Sequence, residues 1–290
     1  RSAYSIEVPG EVPATLLSMP AWRAGEYLGV KLVTVFPGNS MRNQRSVAAI
    51  YTLFSARDGR VLAVLDGEEI TARRTAAASA LAARYLARDD ASHLVMIGAG
   101  RQARGLVAAH AGVRPIKRVT VWSRRLHHAE AAAAEISNAM RSLEVRASDD
   151  LEHAVRDADI VSCATLATVP VLRGAWLRAG THVDLVGAFR AYMREADDDV
   201  MCRADTLVVD ERTAALAEGG DIVQAIASGA IDASRIDADL RELVGGGHRG
   251  RLTRDQITVF KSVGFALEDL AAAVTTYEAV CARGRPAQTP

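Results

Sequence analysis

The sequence predicts an α/β protein in which a parallel sheet, covered by helices on both faces, stands beside a smaller, mostly β region. Three observations carry this. From residue 93 onward, short apolar runs alternate with alanine-rich stretches, the pattern of parallel strands joined by crossover helices. Before residue 66 the apolar runs are short and broken by turn residues, with no long helical stretch among them. A length of 290 residues, at roughly 150 per domain, suits two domains.

In chain order, Pro9, Gly10, Pro13 and Pro20 punctuate a first stretch of strands and turns. Apolar runs follow at 29–36, 47–54 and 61–65, separated by Pro37-Gly38-Asn39 and by Asp58-Gly59, which closes a hairpin. Residues 71–88 are rich in alanine, leucine and arginine and hold no Gly or Pro, so they predict a long helix. Strands are expected at 93–97, 118–122, 160–163, 182–186 and 206–209. Helices are expected at 102–111, 127–141 and 151–157, and a loop at Gly245-Gly246-Gly247. A last helix at 262–281 carries Val263, Leu267, Leu270 and Val274 as its apolar stripe.

Composition narrows the function. Lys plus Arg and Asp plus Glu are 35 each, a zero net charge that argues against a nucleic-acid partner, which would need a basic excess. Cys163, Cys202 and Cys281 are far apart and odd in number, so neither a disulfide framework nor a zinc site is expected. No apolar run reaches 18 residues, and no membrane partner is expected. The chain opens at Arg1 with neither an initiator Met nor a basic-then-apolar leader. A missing leading segment stays open, and a reducing cytoplasm is the expected compartment.

The most informative motif is Gly98-Ala99-Gly100-Arg101-Gln102-Ala103, which follows a strand and opens a helix. Gly98 allows the tight turn, Gly100 lets a pyrophosphate approach the backbone, and Ala103 keeps helix and strand close. The helix N-terminus offers its N–H groups to phosphate. A dinucleotide is the expected ligand. An NAD site places a carboxylate on the ribose about 20 residues further on; here the second strand ends Ser123-Arg124-Arg125. A guanidinium forks onto a phosphate, so a 2′-phosphate and hence NADP(H) is expected, with NAD(H) as the alternative.

Lys31 interrupts an apolar strand. Its ammonium either snorkels to water from an edge or is buried because it is paired or working. Arg74, next to Arg73 on the long helix, is placed to clamp a carboxylate or to be an ordinary surface arginine. No H-x-x-x-H pair, C-x-x-C or G-x-S-x-G elbow is present, so no metal is expected and the chemistry falls to the cofactor.

Further blocks lie along the chain: Ser18-Met19-Pro20-Ala21, the lysine strand from Gly29 to Thr34, and Arg73-Arg74-Thr75-Ala76-Ala77. Beyond the glycine motif come Ala158-Asp159, Ala164-Thr165-Leu166-Ala167-Thr168, Gly187-Ala188, Gly219-Gly220-Asp221, Phe260-Lys261-Ser262-Val263-Gly264 and Glu268-Asp269. With these blocks in this order, the chain resembles the ornithine cyclodeaminase/mu-crystallin family over nearly its whole length. The resemblance implies a homodimer with a discontinuous α+β substrate and dimerisation domain, residues 1–91 with 258–290, and a Rossmann domain at 92–257. It implies that Lys31 sits by the substrate as the catalytic residue, that Arg74 binds its carboxylate, and that Arg1 is a second carboxylate contact. It places Thr75, Ala164, Thr165, Leu166, Val186, Gly187, Ala188, Ser262 and Gly264 by the cofactor.

Ornithine cyclodeaminases proper carry a water-activating aspartate where this chain has Phe189, a glutamate where it has Ser18, and an acidic end to the second strand. Phenylalanine cannot act as a general base. The resemblance is therefore closer to the mu-crystallin, ketimine-reducing branch. It implies hydride transfer from NAD(P)H to Δ1-pyrroline-2-carboxylate or Δ1-piperideine-2-carboxylate, with Phe189 as an apolar wall of the substrate site. A related amino-acid dehydrogenase, an ornithine cyclodeaminase releasing ammonia, and a non-catalytic NADP-loaded binding protein are the alternatives.

Overall fold

The computed structural model describes residues 2–283, with the backbone alone for Ser40. Two compact units divide the chain, Arg1–Arg74 with Phe265–Pro290, and Thr75–Gly264. The divisions thus fall at 74/75 and 264/265, where the sequence placed them at 91/92 and 257/258. The physical reason lies in two segments. Residues Ala76, Ala83 and Ala87 pack in the core of the second unit, and residues 258–261 form a strand of its sheet.

In the first unit, β1 (Ser2–Ile6), β2 (Ala14–Arg23), β3 (Tyr27–Val35), β4 (Val47–Ser55) and β5 (Val61–Asp66) form an antiparallel meander in that order. Gly59, at a φ of 72°, closes the β4–β5 hairpin expected at Asp58-Gly59. The long helix α1 (Gly67–Leu86) begins four residues before its expected start, because Asp66 Oδ1 accepts the amides of Glu68 and Glu69 and so caps it. The last helix, of the same unit, starts at Ala266 and not at residue 262, and ends at Arg283. It lays Leu270 and Ala273 on Ala21, Tyr51 and Leu53 of the sheet, while Leu267, expected in the apolar stripe, is exposed.

In the second unit, β6 (His93–Ile97), α2 (Arg101–Val113), β7 (Arg118–Trp122), α3 (Leu126–Ala139), β8 (Glu144–Ser148), α4 (Leu151–Arg156), β9 (Ile160–Cys163) and β10 (His182–Leu185) follow in turn. Next come α5 (Asp198–Arg203), β11 (Thr206–Val209), α6 (Arg212–Glu218), α7 (Gly220–Ala227), β12 (Ala238–Asp239), α8 (Leu240–Val244) and β13 (Thr258–Lys261); the last helix of the first unit is α9 (Ala266–Arg283). All eight strands are parallel, in the order β12-β11-β13-β10-β9-β6-β7-β8. Every residue of β6 is buried, Val95 and Ile97 in one core and Leu94 and Met96 in another, which is how a strand covered on both faces reads as a continuous apolar run. The order reverses at β6, between β7 and β9. Ligands of open parallel sheets bind outside the strand ends at such a switch point.

Candidate active site

The first group of site residues lies in the first unit. Alternation along β3 turns Gly29 and Lys31 to the buried face, where Lys31 pairs in register with Tyr51 of β4. Lys31 is 2% exposed, which settles the choice between a snorkelling and a paired lysine in favour of the latter. Its Nζ donates to Asp269 Oδ1 at 2.7 Å and to Thr71 Oγ1 at 3.1 Å. Thr71 and Arg74, one helical turn apart on α1, share a face. Arg74 Nε donates to the same Asp269 oxygen at 3.1 Å and Nη1 donates to Glu268 Oε2 at 2.7 Å. Arg73 instead forms an exposed pair with Glu69.

Two cations therefore converge on one buried carboxylate. Burial, and then the charge of Arg74, pull the Lys31 ammonium down from 10.5 to about 8, against the opposing pull of Asp269. Tyr51 lies over Gly29, where an added Cβ would stand 1.9 Å from its hydroxyl. That hydroxyl and Asp269 Oδ2 are buried with no hydrogen-bond partner among the described residues. Asp269, Glu268, Thr71 and Tyr51 had no role in the sequence reading. The signal for Asp269 was a carboxylate in step with Leu270 and Ala273 on the apolar side of α9. Arg1 lies outside the described residues.

The second group lies in the second unit. Gly98 has a φ of 117°, and an added Cβ would meet the carbonyl oxygen of Ala164 at 2.5 Å, so only glycine lets the turns after β6 and β9 approach this closely. Gly100 caps α2, and a Cβ there would meet nothing within 4 Å. That open backbone at a helix N-terminus, with Ala99, Arg101 and Gln102 around it and Ala103 buried below, fits a pyrophosphate. Gly98 N donates to Trp122 O, which ties this turn to the end of β7, where Ser123, Arg124 and Arg125 follow. Both guanidiniums are exposed and without a protein partner among the described residues.

On the other side of the switch point, the amides of Ala164 and Val186 donate to Ile97 O and Cys163 O. Thr165, Gly187 and Ala188 come together on the buried Glu195. Leu166 is exposed, and Phe189, directly after Ala188, is 38% exposed. Ser262 N donates to Leu185 O, and the amides of Val263 and Gly264 donate to Asp210 Oδ2. Thr75 is buried on α1. Among the described residues no group of three His, Cys, Asp or Glu side chains could hold a metal ion, and no helix is long and apolar enough to cross a membrane.

Comparison with known proteins gives a consistent picture. Residues 7–284 match the ornithine cyclodeaminase/mu-crystallin family. The chain is 46% identical over 264 residues to the Δ1-pyrroline-2-carboxylate reductase of Paracoccus denitrificans, covering 90% of this chain and 82% of that protein. It is 39% identical over 261 residues to the ketimine reductase mu-crystallin of Rattus norvegicus, covering 90% of this chain and 79% of that protein. The solved structure of Thermococcus litoralis Δ1-pyrroline-2-carboxylate reductase in complex with NADH and L-proline matches with a TM-score of 0.89 at 36% identity, over 99% of this chain and 88% of that one. The chain belongs to the ornithine cyclodeaminase/mu-crystallin family.

Proposed function

We propose that this protein is an NAD(P)H-dependent oxidoreductase that reduces the C=N bond of a cyclic ketimine carboxylate, Δ1-pyrroline-2-carboxylate or Δ1-piperideine-2-carboxylate, to the cyclic amino acid. The reading rests on the buried convergence of Lys31 and Arg74 on Asp269, in a chain whose relatives include reductases of that substrate class. When bound, the nicotinamide supplies the hydride. The protein has to hold the carboxylate, place the imine and provide a proton for its nitrogen.

Arg74 is suited to the carboxylate, since its planar fork recognises one bidentately. In the structure that fork is engaged by Glu268, the partner that a substrate carboxylate replaces. Lys31 holds a proton on Nζ near neutral pH, and Thr71 and Asp269 fix where that proton points. Phe189 offers no base to activate water, which favours reduction of the imine over its hydrolysis.

The nicotinamide dinucleotide is NADP(H) in preference to NAD(H), supported by Arg124 and Arg125, exposed beside Ser123 and unpaired among the described residues. A homodimer is supported by the outer face of the meander, where Trp22, Leu32, Ile50 and Val64 are exposed on neighbouring strands. A reducing cytoplasm suits the three free thiols.

Two assays on one purified sample test the reaction. The first follows NADPH oxidation with each imine, and the second follows ammonia release from L-ornithine with catalytic NAD. NADPH consumption without ammonia release is expected. Ammonia release without NADPH consumption would replace this reading by that of a cyclodeaminase, and silence in both would point to another amino acid or to a binding protein.

A further inference from the structure

Two sequence blocks have no part in the chemistry above, Gly219-Gly220-Asp221 and the Lys261 end of β13. In the second unit they meet. Lys261 is fully buried, with Nζ 3.0 Å from Asp221 Oδ2. Asp221 Oδ1 accepts the amides of Glu195 at 2.7 Å and Ala196 at 2.9 Å. Glu195, itself fully buried, turns its carboxylate to two loops. Oε1 accepts Thr165 N at 2.6 Å and Thr165 Oγ1 at 2.8 Å. Oε2 accepts Gly187 N at 2.6 Å and Ala188 N at 3.2 Å. The glycines make room for this. A Cβ at Gly220 would stand 1.9 Å from Met193 O, and one at Gly187 would stand 2.1 Å from Thr165 O and 2.5 Å from Glu195 Oε1.

Burying a carboxylate is costly unless its oxygens are satisfied. Here all four donors face it, three of them backbone amides of loops that leave the ends of the neighbouring strands β9 and β10. These loops lie on the side of β6 opposite β7. A dinucleotide spans the switch point, so with its adenosine half toward β7 and Ser123, its nicotinamide half falls over β9 and β10.

We propose that Glu195 is a positioning residue for the nicotinamide half of the dinucleotide. It fixes the spacing of the Thr165 and Gly187–Ala188 loops, and Asp221 and Lys261 hold it in turn. The proposal rests on the dinucleotide reading above.

Glu195→Gln tests it, because it keeps the shape but sets amide hydrogens against the N–H donors of one loop. Calorimetry on wild type and variant would compare NADPH with 2′,5′-ADP, the adenosine fragment alone. Expected is a loss of about tenfold or more in NADPH affinity with 2′,5′-ADP affinity unchanged, a split that a general loosening of the fold would not produce. Unchanged NADPH affinity, or equal losses for both ligands, would overturn the proposal. Should Glu195→Gln fail to fold, Thr165→Val removes the Oγ1 donor to Glu195, and with it the weaker acceptor of Ala167 N, and is expected to cost about fivefold for NADPH alone; no loss there would overturn it equally. A wild-type chain that binds neither NADPH nor NADH would overturn the dinucleotide reading itself, so the two failures are distinguishable.

Discussion

Asp269 Oδ1 receives both Lys31 and Arg74, and several expected outcomes follow from that one atom. Removing its charge leaves two buried cations under-compensated, so Asp269→Asn is expected to cost about 3 kcal/mol or more in a denaturant titration. Lys31 has a lower pKa folded than unfolded, so between about 8 and 10.5 the native state binds fewer protons, and this group makes stability rise with pH across that window. Its proton is present below about 8. The rate of imine reduction, followed as kcat/KM against pH, is expected to fall above that value, and Lys31→Met is expected to lower kcat by about a hundredfold or more. A Lys31→Met variant that keeps wild-type kcat would remove Lys31 from the chemistry. Glu268 occupies the Arg74 guanidinium that the proposed substrate carboxylate would need; Glu268→Gln is expected to lower KM for the imine by a few-fold. At the cofactor, Arg124→Ala is expected to raise KM for NADPH by about tenfold while leaving that for NADH alone, and equal effects on both would point to NAD. Lys31 is visible in the sequence as a charge inside an apolar strand, whereas Arg74 reads equally as an ordinary surface arginine. Their shared partner is not visible there, because it stands 238 residues from Lys31.

At the scale of elements, glycines mark where segments touch. Gly98→Ala would add a Cβ 2.5 Å from Ala164 O on a backbone at φ 117°, at a cost of about 2 kcal/mol from the backbone alone. Loss of NADPH affinity together with a lower Tm is the expected result, and an unaltered pair of values would mean the turn can rearrange. The elements themselves were unevenly legible. The strand of the lysine and the glycine turn after β6 carried strong local patterns. Strand β8 was not expected, since Glu144 to Ser148 form a half-exposed edge strand. No strand is expected at β13 either, because four buried residues are too few to show a period. Its insertion between β10 and β11 is what carries Lys261 to Asp221.

For the whole molecule, the outer face of the meander leaves Trp22 66% exposed alongside Leu32, Ile50 and Val64. A contiguous apolar face of this kind is a candidate association surface. Sedimentation is expected to show a dimer for the wild-type chain and a monomer for the double variant Trp22→Glu with Ile50→Glu; a wild-type monomer, or a variant that stays dimeric, would place the interface elsewhere or remove it.

By itself the sequence determined the kinds of element, the glycine turn after β6, and Lys31 as a charge inside an apolar strand. Each of these is local: periodicity, glycine placement and a charge in an apolar run can be read within a dozen residues. Only the tertiary structure decided which carboxylates Lys31 and Arg74 meet, where the chain divides into units, and why Glu195 is buried. Those depend on distant segments folding side by side, α9 onto β3 and β4, and β13 between β10 and β11. A carboxylate in such a place looks like any surface residue until the donors around it are known.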